Sequence, residues 1–156
     1  MVLSGDTSGT NAGSYTAVVT PTAQYKWADG STEAKDIQWS IDKATPSITF
    51  DPTSVSLDTS TTSQAVAVTY TGDGTLSAQS DNSGVATASL EGTTLTVTGV
   101  ETGNTAIQVS ASEGTNYTAV SASLSVAVQF VITIPVVPSQ KGTLTYNGEA
   151  QMAEWN

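Results

Sequence analysis

The chain has no cysteine, no histidine and no arginine; its 4 basic residues are all lysine, set against 14 Asp and Glu, for a net charge of −10. Each absence excludes something. Without cysteine there is no disulfide, no thiolate metal site and no thiol nucleophile. Without histidine the commonest general base and metal ligand is gone. Phosphate binding needs clustered Lys and Arg, so nucleic acid is excluded as a partner, and an anionic membrane surface is disfavoured for the same reason. No run of 18 apolar residues exists, so no membrane-spanning helix is expected. No secretory leader is visible; if the protein is exported, that segment has been removed or lies outside this sequence. Helical punctuation is missing too: no apolar stripe at i, i+3, i+4, i+7 lies between caps.

What fills the chain is hydroxyl and β-branched side chains: 27 Thr and 20 Ser, with 12% charged and 38% hydrophobic residues. That composition suits a strand-rich fold with a real core. Period-2 alternation recurs between Gly, Asp, Asn and Ser turns. Tyr15, Ala17 and Val19 alternate with Thr16, Val18 and Thr20. Tyr25 and Trp27 follow Pro21 as a short strand, residues 28–32 (ADGST) turn on Asp-Gly, and Ile37, Trp39 and Ile41 point one way. Between about residues 47 and 128, roughly seven strands are separated by turns 8–12 residues apart, the spacing of an immunoglobulin-like sandwich. A last block has Phe130, Ile132 and Ile134, a break at Pro135–Pro138, and a strand over 142–147 carrying Leu144 and Tyr146. The expected fold class is all-β.

The middle block resembles the bacterial immunoglobulin-like group 2 domains of surface adhesins and phage structural proteins. The residues that carry the likeness are SVSLDTSTTS (54–63), SDNSGVATASLEGTTLTVTGV (80–100), GNTAIQVSAS (103–112) and ASLSVAV (122–128), with Gly92–Val100 the most specific. The resemblance implies a spacer or presentation module on a cell or virion surface, with no shared catalytic residues. The flanks resemble a second repeat type found beside such domains. Residues 8–44 look like its back half and residues 134–156 like its front half, in reversed order. The expected organisation is therefore a half-module at 1–44, a sandwich at 45–128 and a complementary half-module at 129–156.

All three tryptophans, Trp27, Trp39 and Trp155, lie in the flanks, and a tryptophan needs a core to bury roughly 150–250 Å². A sandwich with an odd number of strands sends its termini to opposite ends, so pairing between copies is easier than closure within one chain. The expectation is a structural subunit of an extracellular filament, surface stalk or phage appendage. It would assemble head-to-tail by strand complementation, with Tyr15, Val19, Trp27, Trp39 and Ile41 of one copy against Leu144, Tyr146 and Trp155 of the next. The alternative is an adhesin or phage decoration module that binds a host-surface glycan through Tyr25, Trp27 and Trp39.

The remaining candidates are weaker. Glu149 with Glu154, and Asp29 with Glu33 and Asp36, are the only carboxylate groupings that suggest hydrolysis, which needs a cleft and a set separation; solvated turn acids are the favoured reading and no enzyme is expected. No cofactor is expected either, calcium on the Asp29–Glu33 turn or on Asp73 with Asp81 and Asn82 being the weak alternative, since neither fits a calcium-loop pattern. A self-formed lysine crosslink, known in Gram-positive surface sandwiches, would need Lys26 or Lys141 buried beside a carboxylate, against the usual exposure of lysine. Asn116-Tyr117-Thr118 fits the N-glycosylation pattern and is read as a turn leading into a strand.

Overall fold

The computed structural model describes residues 1–130 and 139–155. It is all-β, with no helix among the described residues. Three strands, β1 (Val2–Gly5), β2 (Gly13–Thr20) and β3 (Lys35–Ile41), form an antiparallel sheet in the order β1-β2-β3. Two four-stranded sheets follow. One pairs β4 (Ile48–Asp51), β6 (Ser63–Tyr70), β9 (Thr94–Gly99) and β8 (Ala86–Glu91), in that order. The other pairs β5 (Ser54–Asp58), β11 (Val120–Gln129), β10 (Gly103–Ala111) and β7 (Leu76–Ser80).

The two four-stranded sheets make a sandwich because each strand keeps strict alternation. In β5 the pattern puts Val55 and Leu57 inside and Ser54, Ser56 and Asp58 outside; β9 does the same with Leu95 and Val97. The core is entirely aliphatic: Val66, Leu95, Val97, Ile107, Val109, Leu124 and Val128 are all at 0% exposure, and no polar residue is buried among the described residues. The strand order matches the two sheets of an immunoglobulin constant-type domain, here held by aliphatic packing in place of the disulfide and tryptophan.

β4 and β5 are one path that changes sheets at Pro52–Thr53, so the eight strands act as seven. β5 then pairs parallel with β11, from Ser54↔Ser125 to Asp58↔Gln129. Since β4–β5 starts the sandwich and β11 ends it, the chain enters at one pole and leaves at the other. The 10 residues of β11 span roughly 33 Å.

Two expected strands are absent. Residues 25–27 lie in the β2–β3 loop, where the Trp27 amide donates to Ser31 O and the Gly30 amide to Trp27 O; the turn at Asp29-Gly30 consumes the bonds a strand would need. Residues 142–147 also form no strand: a single bridge, Gln140↔Trp155, is the only pairing in 139–155. Alternation makes a strand only when a neighbouring backbone supplies the ladder. Phe130 packs against the sandwich core. Ile132, Ile134 and the Pro135–Pro138 break lie outside the described residues, as does Asn156.

Candidate functional site

Residues opposite one another in an antiparallel pair share a face. The register Leu3↔Val19, Tyr15↔Trp39 and Ala17↔Ile37 therefore gathers Leu3, Tyr15, Ala17, Val19, Ile37 and Trp39 on one side of the β1–β3 sheet. Gly13↔Ile41 extends the same face. Val18, Thr16, Asp36 and Gln38 take the other, where Thr16 Oγ1 donates to Gln38 Oε1. Ala17 and Val19 are buried, yet Leu3 is 59% and Ile37 51% exposed. A sheet with one apolar face needs a second layer, and this one is covered only in part.

The partial cover comes from the sheet's own loops. Tyr15 and Trp39 stack at 4.5 Å with planes 19° apart. Residues 6–12 fold over the pair: Trp39 Nε1 donates to Asp6 O at 2.8 Å, Tyr15 Oη donates to Asn11 O, and a Cβ at Gly9 would strike the Tyr15 ring at 2.5 Å. Gly9 is thus a glycine of close approach. At the other end of the sheet, Trp27 is half-buried, donates its Nε1 to Glu33 O, and has the Lys35 ammonium 5.0 Å from its ring centroid. Lys35 in turn bridges Asp29 at 2.8 Å. The Lys35 ammonium, then the Ser31 hydroxyl and amide, hold the Asp29 carboxyl well below the usual carboxylate range. In the same way the Ser60 hydroxyl and the Thr61 and Ser60 amides lower Asp58 in its turn.

Of the aromatics proposed to stack on sugar, Tyr25 and Trp27 come together, with Pro21, Lys26 and Met1, around a cavity of about 420 Å³. Trp39 is elsewhere, against Tyr15. Leu144, Tyr146 and Trp155 are 50%, 92% and 65% exposed. Lys26 is exposed and Lys141, 65% exposed, lies 3.7 Å from Glu154, so neither meets the burial that a lysine crosslink requires. Among the described residues no three acidic side chains converge as a metal site.

The joint between the small sheet and the sandwich has no local signal in the sequence. It is centred on Asn116, in the β10–β11 connection. Its Oδ1 accepts from the Ala12 amide at 2.7 Å, its Nδ2 donates to Asn11 Oδ1 at 3.2 Å, its carbonyl accepts from Ala44 N, and its amide donates to Asp73 Oδ2 at 2.8 Å. The side-chain amide is therefore engaged at both ends. Ala44 also pairs with Tyr117 as a parallel bridge, and Lys43 Nζ donates to Glu113 Oε1 at 2.5 Å and to Gly114 O at 2.7 Å. The partners are up to 105 residues apart in sequence. Asn116→Ala removes the two side-chain bonds and is expected to loosen this joint. Small-angle scattering should show a broader, more flexible particle, while the melting of the sandwich moves by no more than about 1 kcal/mol, the size of ordinary hydrogen-bond losses at a half-exposed site.

The profile of the bacterial Ig-like domain (group 2) matches residues 44–122. The chain belongs to that family. The matched segment is the sandwich from its point of entry into the first residues of β11, so the Ig-like domain carries the Asn116 joint within it. Membership supports a surface structural or adhesion-type module outside the cell. No curated protein matches the chain. Among solved structures, domains 4 and 5 of the S-layer protein SbsC align with a TM-score of 0.44 at 23% identity, covering 75% of this chain and 58% of that one. The chain thus spans little more than half of that structure.

Proposed function

We propose that this Ig-like chain is a structural repeat unit of an extracellular filament, surface stalk or phage appendage, without catalytic activity. Its units join head-to-tail by strand complementation: the open apolar face of β1–β3 in one copy takes residues 142–155 of another. The observation that carries the reading is the pairing of two incomplete surfaces. Leu3 and Ile37 stand exposed on a sheet that is covered only in part, and Leu144, Tyr146, Met152 and Trp155 stand exposed on a segment without a sheet. The polarity of the sandwich supports it. The β1–β3 sheet docks where the sandwich begins, whereas β11, which precedes residues 139–155 in sequence, ends at the opposite pole. A segment added to the edge of β1 or β3 would satisfy its own backbone there while burying its alternate side chains.

Deletion of residues 142–156 tests this. The full chain is expected to form concentration-dependent oligomers or fibres in light scattering and electron micrographs, and the truncated chain to remain monomeric. Fibres that persist after truncation would overturn the mechanism, as would a full chain that stays monomeric at every concentration.

A further inference from the structure

The cavity in the β2–β3 loop lies at the end of the small sheet opposite the Asn116 joint. β2 starts beside the Asn116 joint, through Ala12, and its 8 residues carry the chain roughly 25 Å from that joint before the loop begins. Tyr25, Trp27, Pro21 and Met1 give the cavity an apolar wall, and Lys26 lines it as well. At about 420 Å³ it is at the small end of ligand pockets, roughly 300–1,000 Å³, with room for an aromatic ring and a short stem.

Lys26 is what makes the cavity unusual. Lys35 is paired with Asp29, Lys43 with Glu113 and Lys141 with Glu154; among the described residues Lys26 is the one lysine with no carboxylate partner. In a chain of net charge −10 that is a cation left over in an acidic molecule. The exposed segment 142–155 carries the complement. Tyr146, at 92% the most exposed large hydrophobic side chain among the described residues, precedes a bend at Gly148, whose φ is +84°. The bend is held by the Glu149 amide, which donates to Asn147 Oδ1 at 3.0 Å. Tyr146 and Glu149 thus flank one tight feature: a ring and, after the bend, a carboxylate with no ion pair among the described residues. Glu154, by contrast, already faces Lys141.

We infer that the Tyr25–Lys26–Trp27 cavity is the socket for the Tyr146–Glu149 bend of a second copy, with the Tyr146 ring between the aromatics and Glu149 against Lys26. This rests on the head-to-tail reading above and adds to it which residues fix the register of the joint. The ring supplies burial and the charge pair supplies selectivity, because a like charge at such a contact costs far more than a matched pair gains.

The test is a charge swap in the full chain, with self-association measured by analytical ultracentrifugation. Lys26→Glu and Glu149→Lys should each raise the dissociation constant at least about tenfold, and the two together should restore it to within about twofold. Tyr146→Ala should weaken association without rescue by either charge change. Both charge positions are exposed, so circular dichroism should match that of the native chain. Association that ignores both single changes, yet is lost on deleting residues 142–156, would overturn the socket and leave head-to-tail assembly standing. Failure of the native chain to associate would overturn both. Lys26-dependent binding of a uronic-acid oligosaccharide by a monomeric chain would overturn the socket in favour of a glycan site.

Discussion

Leu124→Ala is expected to lower the unfolding free energy of the sandwich by about 2–5 kcal/mol. Leu124 is at 0% exposure at the middle of β11, opposite Ile107 on β10, and the sheet continues on both sides, to β7 and to β5. The core cluster it belongs to is rich in stiff β-branched side chains, Val55, Val66, Val97, Ile107, Val109, Val126 and Val128 among them, which limits how far the space can refill. A domain of this size has roughly 5–15 kcal/mol in hand, so the variant loses a large share of it. The measurement is urea unfolding followed by far-UV circular dichroism, where the midpoint should fall at nearly constant slope. A loss below 1 kcal/mol would mean that the two sheets close over the gap, contrary to the aliphatic close packing described above.

Gly74→Ala should be nearly as costly, for a different reason. A Cβ at residue 74 would sit 1.8 Å from the Ser112 carbonyl oxygen and 2.8 Å from its carbon, both backbone atoms that cannot swing aside. The two loops are tied there by Ser112 N donating to Thr75 O and Thr75 N donating to Ser112 Oγ, and Gly74 N donates to the Tyr70 hydroxyl. Accommodating a methyl group means parting them, which puts the cost at about 1–3 kcal/mol in the manner of overpacked cores. Because Asp73 holds the Asn116 amide, the displacement should reach the joint with the small sheet. Gly74→Ala should therefore lower the melting temperature and raise the flexibility seen in scattering, whereas Asn116→Ala changes mainly the second. Native melting in Gly74→Ala would show that the loops separate freely.

Much of the fold is legible in the order of residues because alternation is a local property. Val55 and Leu57 between serines, or Leu95 and Val97 between threonines, name their inward face without reference to any other strand, and the turns at Asp29-Gly30 and Glu91-Gly92 announce themselves by composition. The same reasoning misplaced strands at residues 25–27 and 142–147. Leu144 and Tyr146 alternate with threonines as well as any strand in the sandwich, but a strand exists only where another backbone lies alongside, and alternation says nothing about whether one does.

The candidate surfaces divide along the same line. Which side chains of β2 and β3 share a face followed from period-2 spacing. That Tyr15 and Trp39 are capped by residues 6–12, that Lys26 has no carboxylate partner among the described residues, and that Asn116 joins the two parts of the chain did not. Asn116 reads in sequence as a glycosylation-type turn; its role appears only when Asn11, Ala12, Ala44 and Asp73 are brought around it. The fold class, the inward faces, the family resemblance and the absence of thiol and imidazole groups were all readable from the order of residues, because residue type and a spacing of two suffice for each. The tertiary structure alone decided at which poles the chain enters and leaves the sandwich, which aromatics are already covered and which lysine has no carboxylate partner among the described residues. Those depend on contacts between residues tens to a hundred positions apart, which local spacing does not encode.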